Sequence, residues 1–237
     1  MNAVAGGGSF VAFPALLFTG VGPIPANATN TLSLWFGTAV SSGAYRNRLN
    51  LPRRILLPLF LMSLVGGLAG ALLLIKTPAH TFLRLIPWLM LLATLMFTFG
   101  KHLTSHISGG FSHEASNAAV AGASMFELLV AIYGGYFGGG IGIMNLAMLA
   151  ALGMTDIHAM NALKIVLVAV INGVAAVTFV ATGFIMWPQA LVMIVGAAMG
   201  GYSAAHYAQK LPQQLIRSMV ITLGLAMTIY FFLKAYR

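Results

Sequence analysis

The sequence predicts an all-α polytopic membrane protein, made of two homologous repeats of about four helical segments with glycine-broken helices, the second repeat inverted. Three observations lead there. Hydrophobic residues fill 59% of the 237 positions and charged residues only 6%, against about 25% charged in a soluble domain; mean hydropathy is +0.93. Apolar runs of the roughly 20 residues needed to cross a bilayer recur along the chain. A glycine triplet followed by a short apolar run occurs twice, at Gly6-Gly7-Gly8 and at Gly138-Gly139-Gly140.

The first repeat spans residues 1–100. It opens on the first glycine triplet and a short half-helix over Ser9–Thr19. Next, the polar run Ala26 to Leu32 reads as a turn leading into a crossing at about Ala28–Tyr45. Arg46, Arg48, Arg53 and Arg54 then crowd one short loop. They mark it as cytoplasmic by the excess of Lys and Arg on that side, a topology signal rather than a ligand site. Crossings at Ile55–Ile75 and Phe82–Phe99 complete the repeat. Residues 101–117, with Ser, Gly and three histidines, read as an aqueous linker.

The second repeat, residues 118–237, begins with a full crossing at Ala118–Phe137. The matching place in the first repeat holds only Met1 to Ala5, so the first helix reads as short. The glycine break follows, then a half-helix over Ile141–Leu152 and crossings at Ala159–Thr182, Pro188–Tyr207 and Gln213–Phe232. Gly22 matches Gly153, Ala28 matches Ala159, Asn30 matches Asn161 and Leu32 matches Leu163, each 131 residues on; Pro58, Gly66 and Gly70 match Pro188, Gly196 and Gly200, each 130 on. Apolar identities are cheap in so biased a chain, but each Asn, Pro or Gly fixes a backbone or polar requirement. The basic loop corresponds to the uncharged Thr182–Trp187, as inversion requires. Helices broken by glycine expose backbone groups that a bilayer tolerates only against protein or a water-lined cavity. The two breaks, around Gly7 and Gly139, are therefore expected near each other, lining one central cavity.

Several function classes are excluded. The +9 net charge lies at span ends rather than on one face, so nucleic acid is not an expected partner. Without cysteine there is no disulfide or thiolate site. His102 and His106 stand four apart but lack a third ligand, so neither a metal nor a cofactor is predicted. The glycine triplets do not continue into Gly-Lys-Ser/Thr and are not phosphate loops. Ser9 and Ser41 lack a persuasive histidine partner, so the chain does not read as an enzyme. No basic n-region or cleavage site marks a signal peptide.

The residues left are those of a small-anion site. Lys164 is the deepest cation, six residues past His158 in an apolar helix. A charge at the bilayer centre costs about 2.5–3.5 kcal/mol on insertion scales, so it must face a cavity or a partner. Glu127, the only carboxylate inside a crossing, is the coupling candidate or the partner of Lys164. Asn30 and Asn161 recur at one repeat position, and asparagine both caps helices and hydrogen-bonds polar ligands. A helix start at membrane depth also offers free N–H groups and positive dipole to an anion. The predicted substrate-binding set is Gly8, Ser9, Asn27, Asn30, Thr31, Gly140, His158, Asn161 and Lys164. The Gly66/Gly70 and Gly196/Gly200 pairs are read as helix-packing stripes.

Ala-Gly-Gly-Gly-Ser-Phe with Phe-Pro-Ala-Leu-Leu-Phe-Thr-Gly, the run Ala26 to Leu32, and Tyr133-Gly-Gly-Tyr-Phe-Gly-Gly-Gly-Ile-Gly-Ile resemble the sulfite exporter TauE/SafE family. So do Asn161-Ala-Leu-Lys164 and the ending from Leu211-Pro to Tyr230-Phe-Phe. The resemblance covers nearly the whole chain and departs from the family at the short first helix. It implies a multi-pass permease of the inner (plasma) membrane, with two repeats, moving sulfite, sulfonates and related sulfur-containing anions. The expected function is a secondary transporter of such anions; the alternatives are an anion channel or uniporter and a non-transporting membrane assembly factor. Expected partners are the small anion, the lipid bilayer, a coupling ion (proton or sodium) and further copies of the chain.

Overall fold

The computed structural model describes residues 8–45, 53–105, 116–154, 156–207 and 213–236. Among them are nine α-helices and no strand: α1 Ser9–Phe18, α2 Pro23–Tyr45, α3 Arg53–Lys76, α4 Ala79–Ser105, α5 Asn117–Tyr136, α6 Ile141–Ala151, α7 Ile157–Ala181, α8 Trp187–Tyr207 and α9 Gln213–Tyr236. Five stretches within them are long and apolar enough to cross a membrane: Arg53–Lys76, Ala79–Met96, Asn117–Tyr136, Ala159–Ala181 and Ser218–Tyr236. The half-helices α1 and α6 have 10 and 11 residues, about 15 Å each at 1.5 Å per residue.

The helix ends follow from local chemistry. At the end of α1, Gly20 takes φ +84°, and the N–H groups of Gly20 and Val21 turn back to Leu17 O and Leu16 O. Gly153 at φ +85° closes α6 in the same way, with Met154 N on Leu149 O at 3.1 Å. This is the left-handed glycine cap that satisfies orphan carbonyls. Gly20, not the sequence-matched Gly22, therefore does the work of Gly153. The α5 start is capped by Ser116, whose Oγ accepts from Ala119 N at 3.1 Å.

Two boundaries differ from expectation. Ala26 to Leu32 is not a turn but lies within α2, which starts at Pro23. Proline is favoured in a first helical turn, where its missing N–H loses no bond, so Pro23 and Pro25 start the helix before the polar run. The linker is shorter than residues 101–117, because α4 continues to Ser105. Arg46, Arg48 and His106 lie outside the described residues, as does Gly7.

The α3 and α5 helices run side by side in the same direction, from Arg54 bonded to Asn117 at one end to Gly70 against Ile132 and Tyr136 at the other. Glycine makes the approach possible. A Cβ on Gly70 would lie 2.1 Å from Ile132 O, and one on Gly135 would lie 2.2 Å from Gly67 O. Within lipid, such close backbone packing stands in for the hydrophobic drive available in water. Large side chains point outward instead: Leu57, Leu61, Val65, Leu68 and Leu72 form an exposed stripe on α3, opposite buried Leu59, Ser63 and Gly66. Gly196 differs from its counterpart Gly66. A Cβ there would meet nothing within 4 Å, so the predicted packing stripe on α8 has no close partner at that residue.

Contacts between helices recur with the two halves exchanged. Helix α4 packs on α6 while α9 packs on α1, and α3 packs on α7 while α2 packs on α8. Ala93 of α4 abuts Gly139 and Gly140. Gly224 of α9, 131 residues after Ala93, abuts Phe10 and Thr94. Both half-helix starts thus flank the Ala93–Thr94 stretch of α4.

Candidate functional site

The second break is built by glycine. Gly138 and Gly140 take φ +82° and +81°, which L side chains rarely adopt. A Cβ on Gly140 would also lie 3.3 Å from Ala93 Cα and Cβ. Tyr133 O ends α5 by accepting from Phe137 N and Gly138 N, and α6 begins with Ile143 N on Gly140 O at 3.0 Å. The N–H groups ahead of that bond are the ones a helix cannot satisfy internally, and they give this end its attraction for anions.

Lys164 stands at that end. Its stem lies over Gly142 in the first turn of α6, where a Cβ would be 3.4 Å from Lys164 Cδ. A side chain at 142 would therefore be in van der Waals contact with the lysine stem. Its Nζ donates to Asn161 Oδ1 at 2.8 Å. Gly140, Asn161 and Lys164 are thus brought to one place by α6 and α7.

Asn145, one turn further along α6, was missed by the sequence reading. It is fully buried, and neither Oδ1 nor Nδ2 has a hydrogen-bond partner among the described residues. Leaving a buried polar group unsatisfied costs about 1–3 kcal/mol, so the amide calls for a partner beyond the described residues. The signal was there, since Asn145 is the only polar side chain between Ile141 and Leu152.

In the first half, Asn30 Nδ2 donates to Ser9 Oγ at 3.3 Å, joining α2 to the start of α1 beside Gly8. Asn27 Nδ2 donates to Tyr136 O at 3.1 Å, tying α2 to the C-terminal end of α5. Asn27 and Asn30 are each 1% exposed and Thr31 is buried. The side chain of His158 lies outside those described.

Glu127 is buried in α5, where its Oε1 accepts from Ser63 Oγ at 2.6 Å, while Oε2 has no partner among the described residues. The carboxylate is met by a serine and Lys164 by an asparagine, so the pairing of Lys164 with Glu127 is not the arrangement found. Two clefts among the described residues lie away from the place expected for the central cavity. One, of about 240 Å³, is lined by apolar residues of α2, α7 and α8 including Trp35 and Trp187, and the other, of about 470 Å³, lies around Lys76 and Thr81. Neither is lined by these asparagines or by Lys164; Asn27, Asn30 and Asn145 are buried, whereas Asn161 and Lys164 are only partly buried.

Comparison with known proteins fits this architecture. The sulfite exporter TauE/SafE family profile matches residues 1–231. A probable membrane transporter protein, ORF9, of a Sinorhizobium species is 26% identical, over 97% of this chain and 86% of its own length. A probable membrane transporter protein of Haemophilus influenzae is 28% identical, over 96% of this chain and 88% of its own length. The probable membrane transporter protein YfcA of Escherichia coli K12 is also 28% identical, over 96% and 83%. No solved structure matches. An all-helical chain with broken helices, matched from residue 1 to residue 231, belongs to the sulfite exporter TauE/SafE family of membrane transporters.

Proposed function

We propose that the chain is a secondary transporter of small sulfur-containing anions, such as sulfite or organosulfonates, across the inner (plasma) membrane. One observation carries this reading: the Lys164 stem lies against the first turn of α6, so a lysine amine and a helix N-terminus meet inside a membrane helix bundle. A compact headgroup with several acceptor oxygens suits both donors. Asn161 orients the ammonium, and Asn145 adds a buried amide with no partner among the described residues.

Broken helices at matched positions support alternating access, in which a site opens to one side at a time, over a continuously open channel. Exchange of helix contacts between the halves supports two repeats related by a two-fold axis, and the uncharged counterpart of the basic loop supports their inversion, the arrangement that places substrate at the midplane beside half-helix ends. Glu127, with one carboxylate oxygen bonded and the other without a partner among the described residues, is the group proposed for proton coupling.

The test is equilibrium binding of sulfite and small sulfonates to purified wild-type protein and to folded Lys164→Ala. A hydrogen bond to a charged group contributes about 1.5–3 kcal/mol, so the variant should bind about 10- to 150-fold more weakly. Unchanged affinity would remove Lys164 from the site.

A further inference from the structure

The two asparagines matched across the repeats are treated differently by their surroundings. In the second half, Asn161 Oδ1 accepts from an ammonium, Lys164 Nζ, at 2.8 Å. In the first half, the residue three positions after Asn30 is Ser33. Its hydroxyl donates to Thr29 O at 2.8 Å and offers no positive charge. Asn30 Oδ1 is left without a partner among the described residues, and so is Asn27 Oδ1, although both side chains are 99% buried.

The orientation of Asn27 is fixed by chemistry. Its amide faces Tyr136 O at 3.1 Å, a carbonyl that can only accept, so the NH₂ must point there and the oxygen must point away. Asn27 and Asn30 stand three apart on α2, which puts their Cβ atoms about 5–6 Å from each other on one face. Tyr136 is also the last residue of α5, and the carbonyl end of a helix carries the negative pole of its dipole. Two buried acceptor oxygens therefore belong to one face of α2, that of Asn27 beside the C-terminus of α5 and that of Asn30, whose Nδ2 donates to Ser9 Oγ at 3.3 Å, at the residue matched to the one that meets Lys164 in the other half.

We propose that this start of α2 binds a monovalent alkali cation, with sodium as the probe, held by the side-chain oxygens of Asn27 and Asn30 at the C-terminal end of α5. Neutral amide oxygens suit a hard cation but do not hold a proton at ordinary pH. A divalent ion calls for carboxylates, whereas Glu127 is bonded to Ser63. Half-helix C-termini and amide or carbonyl oxygens are the groups that coordinate sodium in repeat-built transporters. On this reading the repeats have diverged, with a built-in cation in one half and a bound one in the other. Its role as a coupling ion rests on the transporter reading above; the binding itself does not.

The experiment is thermal unfolding of the purified full chain, titrated with sodium chloride against choline chloride at constant ionic strength and pH, without anion substrate gradients. Sodium should raise the midpoint saturably and choline should not. Asn30→Asp, which adds charge, should lower the apparent Kd for sodium, and Asn27→Leu should raise it at least tenfold. If Asn27→Leu does not fold, wild type and Asn30→Asp still decide. Equal midpoints in sodium, lithium, potassium and choline would overturn the proposal and leave these oxygens to water. So would a sodium effect that Asn30→Asp does not move. Because no transport is measured, failure here is distinct from failure of anion transport.

Discussion

At the residue scale, the chemistry separates polar groups with a partner from those without one among the described residues. Lys164 was legible in the sequence because a cation at that depth in an apolar run demands an explanation. Asn145 was not, because an asparagine's role depends on whether its neighbours satisfy it, and those come from other helices. The two residues lead to opposite expectations for stability. Both polar atoms of Asn145 lack a partner among the described residues, so Asn145→Ala removes an unsatisfied group. The variant should unfold at or above the wild-type midpoint while losing several-fold in anion affinity. A clear drop in the midpoint, with affinity intact, would show that Asn145 is structural. Glu127→Gln keeps the acceptor that Ser63 donates to but removes the ionisable group. It should fold normally, and flux should lose any pH dependence the wild type has; flux with the same pH profile as wild type would dismiss Glu127 as the coupling group.

At the element scale, glycine decides which helices meet. Gly66 on α3 and its match Gly196 on α8 look alike in sequence, yet Gly66 and Gly70 are pressed against a neighbouring backbone and Gly196 is not. A small-residue stripe records that a close approach is possible; whether a partner fills it is a tertiary fact. Gly70→Ala forces a methyl to within 2.1 Å of Ile132 O and should destabilise the protein by about 1–3 kcal/mol or more. Gly196→Ala meets nothing within 4 Å and should be neutral or slightly stabilising, since alanine is the better helix former. Thermal midpoints of the two variants measured together check this, and equal losses would contradict the packing described. Five of the seven expected crossings were readable because apolar length is a strong signal; those at Ala28–Tyr45 and Pro188–Tyr207 are not among the five stretches long and apolar enough among the described residues. The start of α2 was misread because Asn and Thr suggested a turn, whereas Pro23 and Pro25 had already started a helix.

At the scale of the whole molecule, the duplicated glycine break was visible in sequence, and the exchange of contacts between halves gives it spatial form. Which polar residues come together was not visible, because composition does not record how helices pack. The central claim is that the second half presents Lys164 and the start of α6 to a small anion that the protein carries across the membrane. The most direct test is uptake of sulfite and a short organosulfonate into proteoliposomes containing wild type or correctly folded Lys164→Ala. Saturable, protein-dependent flux in the wild type, reduced at least tenfold in the variant at subsaturating anion, is the predicted result. Equal flux through both proteins, or no flux of any sulfur-containing anion in a broad panel, would contradict it.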